Sequence, residues 1–73
     1  MRLRWHRDVF RRGRQGQALA TVHGSDAAGW WWSAGCADLG VPRVDSRTML
    51  VASLADAKRD AETYVRACLD KSE

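Results

Sequence analysis

Three consecutive tryptophans, Trp30, Trp31 and Trp32, stand between Gly29 and Ser33-Ala34-Gly35. Tryptophan suits a pleated, half-buried surface, and glycines punctuate the run on both sides, so the segment reads as a strand. Side chains alternate along a strand. Trp30 and Trp32 therefore share one face, and Trp31 lies on the other. One face can pack beneath a helix. The second face carries an indole outward, or something covers it. The constraint is severe because the chain has only 73 residues. A chain of that size buries roughly 60% of its unfolded surface, so its core is thin. Each indole removes roughly 150–250 Å² from water, a gross gain of several kcal/mol. We expect Trp30 and Trp32 to carry much of the stability, with Trp30→Ala or Trp32→Ala costing roughly 3–5 kcal/mol.

Charge is distributed unevenly. Residues 1–24 hold six arginines (Arg2, Arg4, Arg7, Arg11, Arg12 and Arg14) against Asp8 alone. Residues 25–73 hold six basic and eight acidic residues. All of the net +3 charge therefore comes from the first third, and there it is all arginine. Arginine forks onto phosphate or carboxylate and stacks on flat rings. An anionic partner at that end is one reading. A solvated, soluble edge is the other.

The chain in order suggests an α+β domain. Residues 3–10 begin with alternation, Leu3 and Trp5 on one side and Arg4 and His6 on the other, and read as a first strand. Residues 11–17 are polar, with Gly13 and Gly16, and read as a hairpin loop or bulged turn. Residues 18–23 read as a second strand. Ala18, Ala20 and Val22 share one face; Leu19, Thr21 and His23 share the other. Residues 24–29 form a turn, and residues 30–34 are the tryptophan strand. Residues 35–46, with the only proline, Pro42, read as a loop. Residues 47–52 fit a short fourth strand or the first turns of a long helix, and strand is preferred. Ser53-Leu54-Ala55-Asp56 resembles a capping box at a helix start. The helix then runs over about 54–70, with Leu54, Ala57, Ala61, Tyr64, Val65, Cys68 and Leu69 as its apolar stripe. We expect a three- to four-stranded antiparallel sheet with this one C-terminal helix packed on the face of Trp30 and Trp32.

Residues that carry chemistry are sparse. His6 and Asp8 would share a strand face, but no nucleophile elbow or paired carboxylates complete a catalytic set. Cys36, in a loop, is a lone thiol, and Cys68 falls on the helix stripe as a small hydrophobe. His6, His23, Cys36 and Cys68 lack the spacing of a zinc site. Arg12-Gly13-Arg14-Gln15-Gly16 is no phosphate loop, because no Lys-Ser/Thr or helix follows. We expect no enzyme activity, no cofactor and no metal. No run approaches the ~18 apolar residues of a membrane span. Two cysteines without a secretory pattern suggest a cytoplasmic protein with free thiols.

Binding is the reading with physical content. The arginines of the first hairpin could track phosphates while an outward Trp31 stacks on a base. Trp and Arg are equally the residues most enriched at protein interface hot spots. The candidate binding residues are Arg4, Arg7, Arg11, Arg12, Arg14 and Trp31. An open sheet edge or the Trp31 face allows a homodimer as readily as a monomer.

The run Ala20-Thr21-Val22, a glycine-bounded turn, Gly29-Trp30-Trp31-Trp32-Ser33, and then Ser53-Leu54-Ala55-Asp56-Ala57-Lys58 resembles small phage and prophage proteins of strand, aromatic strand and helix layout. The resemblance covers roughly residues 18–34 and 53–69 and implies a sheet with one C-terminal helix. In size and kind the chain is also similar to phage proteins that block bacterial defence, such as anti-CRISPR proteins. That likeness implies docking on a larger protein or nucleoprotein partner in a host cytoplasm. A nucleic-acid-binding module is the alternative.

Overall fold

The computed structural model describes residues 3–13 and 16–71. Five strands form one antiparallel meander: β1 (Leu3–His6), β2 (Val9–Arg12), β3 (Ala18–Ser25), β4 (Gly29–Cys36) and β5 (Val41–Asp45). One helix, α1 (Leu54–Lys71), follows. The α+β class and the C-terminal helix match the sequence reading, but there are five strands where three or four were expected.

The extra strands come from two segments. Residues 3–10 are not one strand but a hairpin, β1–β2, which turns at Arg7 and Asp8. Arg7 takes a φ of 58°, the left-handed region that a turn demands. The physical cause is parity. Leu3 and Trp5 pack on the core, and in a continuous strand Phe10 would fall on the opposite face; the turn brings Phe10 opposite Trp5 instead. The second segment is the expected loop at 35–46, which contains β5. Residues 47–52 are not a strand. Only Val51 pairs, as a single bridge to Trp30 with N–H···O distances of 2.8 and 2.9 Å. The β3 and β4 strands are longer than expected, because their turn occupies only residues 26–28. Gly24 permits that turn. Its φ is 120°, and a Cβ there would stand 2.2 Å from the Gly29 carbonyl oxygen.

Pairing assigns the faces. Trp5, Phe10, Ala20, Ala34 and Val44 form one row across the sheet. Val22 and Trp32 are directly opposite on the same side. The helix lies on this face. Ala57, Ala61 and Val65 are fully buried, and Phe10, Ala20, Ala34 and Val41 complete the core. Leu19 is buried too, although it alternates with Thr21 and His23; the register shift between β2 and β3 falls beside it and re-aims the chain. Trp32 packs on this core and meets Tyr64 at 5.5 Å, ring centre to ring centre. Trp30 does not belong to it, which corrects its expected role. Its indole N–H donates to Asp26 in the β3–β4 turn at 2.9 Å, at the sheet's end.

The helix is capped and tethered as its residues dictate. The Ser53 hydroxyl accepts from the Asp56 amide at 3.1 Å, the expected cap. The Trp5 indole N–H donates to Glu62 at 3.0 Å, and Lys58 lies 5.2 Å from the Trp5 ring centre. Arg66 donates to the other Glu62 oxygen at 3.0 Å. Partial burial alone would raise the Glu62 pKa. The hydrogen bonds from Arg66 and Trp5 outweigh it and hold the carboxyl below its ordinary value.

Phe10→Ala should cost roughly 3–5 kcal/mol in chemical denaturation. Trp30→Ala should cost clearly less, and equal losses would contradict the core described above. A depressed carboxyl pKa gives stability that is present at neutral pH and lost as pH falls through it. Glu62→Gln should therefore lower stability at neutral pH and flatten its decline on acidification, as followed by thermal melts from pH 7 to the carboxylate range.

Candidate functional site

One helix covers one face, so the opposite face of the sheet is open. The row beside the core row carries His6, Val9, Thr21, Ser33 and Asp45. His23 and Trp31 sit directly opposite each other further along. At the other end Arg4 and Arg11 face each other across β1 and β2. Arg43 lies over Gly35, where a Cβ would come within 3.1–3.3 Å of the Arg43 Cα, Cβ and Cγ atoms. The glycine leaves room for the first carbons of that arginine against β4.

Trp31 is not the bare indole that strand alternation suggests. His23 stacks on it at 4.3 Å with planes 28° apart, and the Arg47 guanidinium stands 4.9 Å from its ring centre. Backbone geometry delivers Arg47 to that spot. The Ser46 amide donates to the Trp32 carbonyl at 2.8 Å, and the Ser46 hydroxyl accepts from the Trp32 amide at 2.8 Å. The chain then leaves the ladder and returns at Val51. The Arg47 amide donates to Asp45 Oδ1 at 3.1 Å, fixing the start of that excursion. A guanidinium held against an indole keeps its N–H edge free for an anion. Two residues along the same face, Thr21 and Ser33 share a hydrogen bond of 2.8 Å, and Thr21 meets His23 Nε2 at 2.9 Å. His6 Nε2 is buried with no hydrogen-bond partner among the described residues.

Relief on this side is low in the middle. A groove of about 640 Å³ is lined by Thr21, Ser33, Gly35 and Arg43, among others, and by no residue of α1. A second depression shares Ser33 and Arg43 with it and adds Trp31, Asp45 and Arg47.

Charges divide between the two sides. The three ion pairs found among the described residues all lie on α1: Asp56–Arg59 at 3.0 Å, Asp60–Arg59 at 3.9 Å and Glu62–Arg66 at 3.0 Å. Arg4, Arg11, Arg43 and Arg47 make no ion pair with a described residue. The sheet face therefore presents guanidiniums with no carboxylate bound to them.

The expected binding set is only partly brought together. Arg4, Arg11 and Trp31 share the open face. Arg7 is exposed in the β1–β2 turn. Arg12 is opposite Leu3, a residue packed on the core, and so belongs to the helix side of the sheet. The arginines at 11 and 12 are in strand β2 and not in a hairpin loop. Arg14 lies outside the described residues. Arg43 and Arg47 were not singled out in the sequence, where Arg43 is an isolated basic residue in an assumed loop and Arg47 begins the segment 47–52 read as a short strand. What places them is their neighbours in the fold: Gly35 beside Arg43 and the Trp31 ring beside the Arg47 guanidinium.

Among the described residues, no group of three or more His, Cys, Asp or Glu side chains is placed to hold a metal. No described helix is long and apolar enough to cross a membrane. No protein family, no curated protein and no solved structure matches the chain.

The direct Arg4–Arg11 pairing is itself unfavourable, since like charges opposite each other destabilise a sheet. Arg11→Gln should therefore raise stability by roughly 0.2–1 kcal/mol at low salt. The gain should shrink as salt screens the pair. A loss of stability at low salt would show that Arg11 serves the fold.

Proposed function

We propose that this chain is a non-catalytic binding protein whose open sheet face seats on the phosphate backbone of nucleic acid, free or carried in a nucleoprotein assembly. The observation that carries the reading is the set of four guanidiniums, Arg4, Arg11, Arg43 and Arg47, on one face and without carboxylate partners, while the ion pairs gather on the helix. Guanidiniums without a carboxylate partner keep their N–H donors available to an external anion. The Trp31 indole contributes by holding Arg47 in place. Its own N–H makes no hydrogen bond with a described residue, unlike the indoles of Trp5 and Trp30, and it supplies one further donor toward a ligand.

The likeness to small phage and prophage proteins implies a setting for such a face. The partner there is a nucleoprotein machine of a bacterial host, and the chain acts as an inhibitor of a defence system by seating on the nucleic acid which that machine carries. Docking on an acidic protein patch would use the same arginines, but it would not follow the counterion law of a polyphosphate.

Titration of a labelled oligonucleotide at ~50 and ~200 mM salt, the range in which phosphate contacts show themselves, tests the reading. Affinity should fall steeply with salt, and Arg4→Ala with Arg11→Ala should flatten that dependence. Lys58→Ala with Arg59→Ala, on the helix, should leave it unchanged. Absence of salt-sensitive binding at low salt would remove nucleic acid as the partner.

A further inference from the structure

We infer that His23 belongs to the anion site and takes up a proton when the open face binds nucleic acid, so that binding tightens as pH falls. This inference rests on the nucleic-acid reading above and adds the residue through which the site responds to pH. His23 stands on β3 directly opposite Trp31, and its imidazole stacks on that indole at 4.3 Å. The Arg47 guanidinium lies 4.9 Å from the Trp31 ring centre. One indole therefore carries a permanent cation and a group that can become one. Both lie against a single ring, within roughly the ~10 Å over which charges feel each other at 0.1 M salt. A phosphate drawn to Arg47 arrives close to His23, and a negative charge nearby favours the imidazolium over the imidazole. By linkage, a ligand that favours the proton is favoured by it in turn.

The hydrogen bonds around His23 suit the charged form. Its Nε2 atom lies 2.9 Å from the Thr21 hydroxyl and 3.4 Å from that of Ser33. A hydroxyl can accept as well as donate. A proton on Nε2 is therefore received by Thr21. Thr21, 2.8 Å from Ser33, then donates onward, and the Ser33 hydroxyl proton is left to point at a ligand. Ser33 lines both the groove and the depression that Arg43 and Arg47 also line, so the chain of hydroxyls ends inside the anion site. His6, the other histidine of this face, has no such outlet. Its Nε2 is buried with no hydrogen-bond partner among the described residues. Both ring nitrogens donate in an imidazolium, and a proton on that atom would meet no acceptor. The response to pH is thus assigned to His23 alone. The charged groups around it come from the neighbouring strands and turns, because α1 covers the opposite face. Asp8 and Arg7 belong to the β1–β2 turn, where the Asp8 carbonyl accepts from the Val22 amide at 3.0 Å. Arg43 and Asp45 stand on β5, and Arg47 follows it.

The test is titration of a labelled oligonucleotide by fluorescence anisotropy at one salt concentration, from about pH 7.5 to about pH 5.5, the span in which histidine changes charge. Affinity should rise several-fold over that span, and by at most about tenfold per pH unit for one proton taken up. His23→Gln keeps a hydrogen-bonding partner for Thr21, and His23→Phe keeps a flat ring on Trp31. Neither titrates, and both should make affinity nearly independent of pH. His6→Gln should leave the rise in place. Thermal melts at each pH report whether the variants are folded. The unaltered protein supplies an independent readout: imidazole NMR signals should show His23 gaining its proton at higher pH with oligonucleotide bound than without. Affinity that ignores pH in the unaltered protein would overturn the inference while leaving the nucleic-acid reading intact. So would a rise that survives both substitutions at position 23, a rise lost in His6→Gln, or a His23 titration that the oligonucleotide does not move. Absence of binding at every pH would instead overturn the nucleic-acid reading itself.

Discussion

The seat of α1 on the sheet is the contact on which the rest of the molecule depends. Ala57 and Ala61 are fully buried in the middle of the helix stripe. Their small side chains bring the helix axis down onto the strands, over Phe10 and the alanines of β3 and β4. A single helix of 18 residues covers only one face. It also draws the large apolar side chains to that face, because a core this small has no other place for them. Trp5, Phe10 and Trp32 follow that demand. The second face receives whatever alternation leaves over, and in this chain the remainder is arginine, histidine, hydroxyl groups and one tryptophan.

The division of charge follows from the same constraint. Asp56 and Glu62 of α1 are paired along the helix, where three- and four-residue spacings bring partners together. Arginines of the sheet have neighbours two residues away on the strand or directly opposite on the next one, and none of these is a carboxylate at the Arg4–Arg11 end. Asp45 also lies on the open face, where its Oδ1 atom accepts from the Arg47 amide and it forms no ion pair with a described residue. Local geometry therefore leaves the guanidiniums of this face available, and the stacking of Arg47 on Trp31 fixes one of them at low entropic cost.

The helix and the central pair of strands were legible in the sequence because their periods are clean. Ser53 and Asp56 mark the helix start, and the stripe from Leu54 to Leu69 has the spacing of a buried helix face. The opposite faces of Trp31 and Trp32 follow from strand parity alone. The first hairpin was hidden because its turn uses Arg7 and Asp8 without a glycine, although the parity break between Trp5 and Phe10 marks it. β5 was hidden by Pro42, which reads as a loop residue but is tolerated in a strand at the sheet's edge. Val51 misled in the opposite direction: it pairs with Trp30 as an isolated residue, so the apolar run around it looks like a strand. The arginines at 43 and 47 became visible as part of a site only through the register of β5, which brings Arg43 over Gly35, and the excursion that sets Arg47 over Trp31.

The central claim is that the uncovered sheet face, and not the helix, meets the partner. Backbone amide and tryptophan indole chemical shifts, recorded by NMR during titration with an oligonucleotide, test it most directly. The account predicts that the changes concentrate at Arg4, Arg11, Trp31, Arg43 and Arg47, with the exposed side of α1 unmoved. Changes confined to α1, or to the exposed Met49 and Leu50 of the β5–α1 connection, would contradict it.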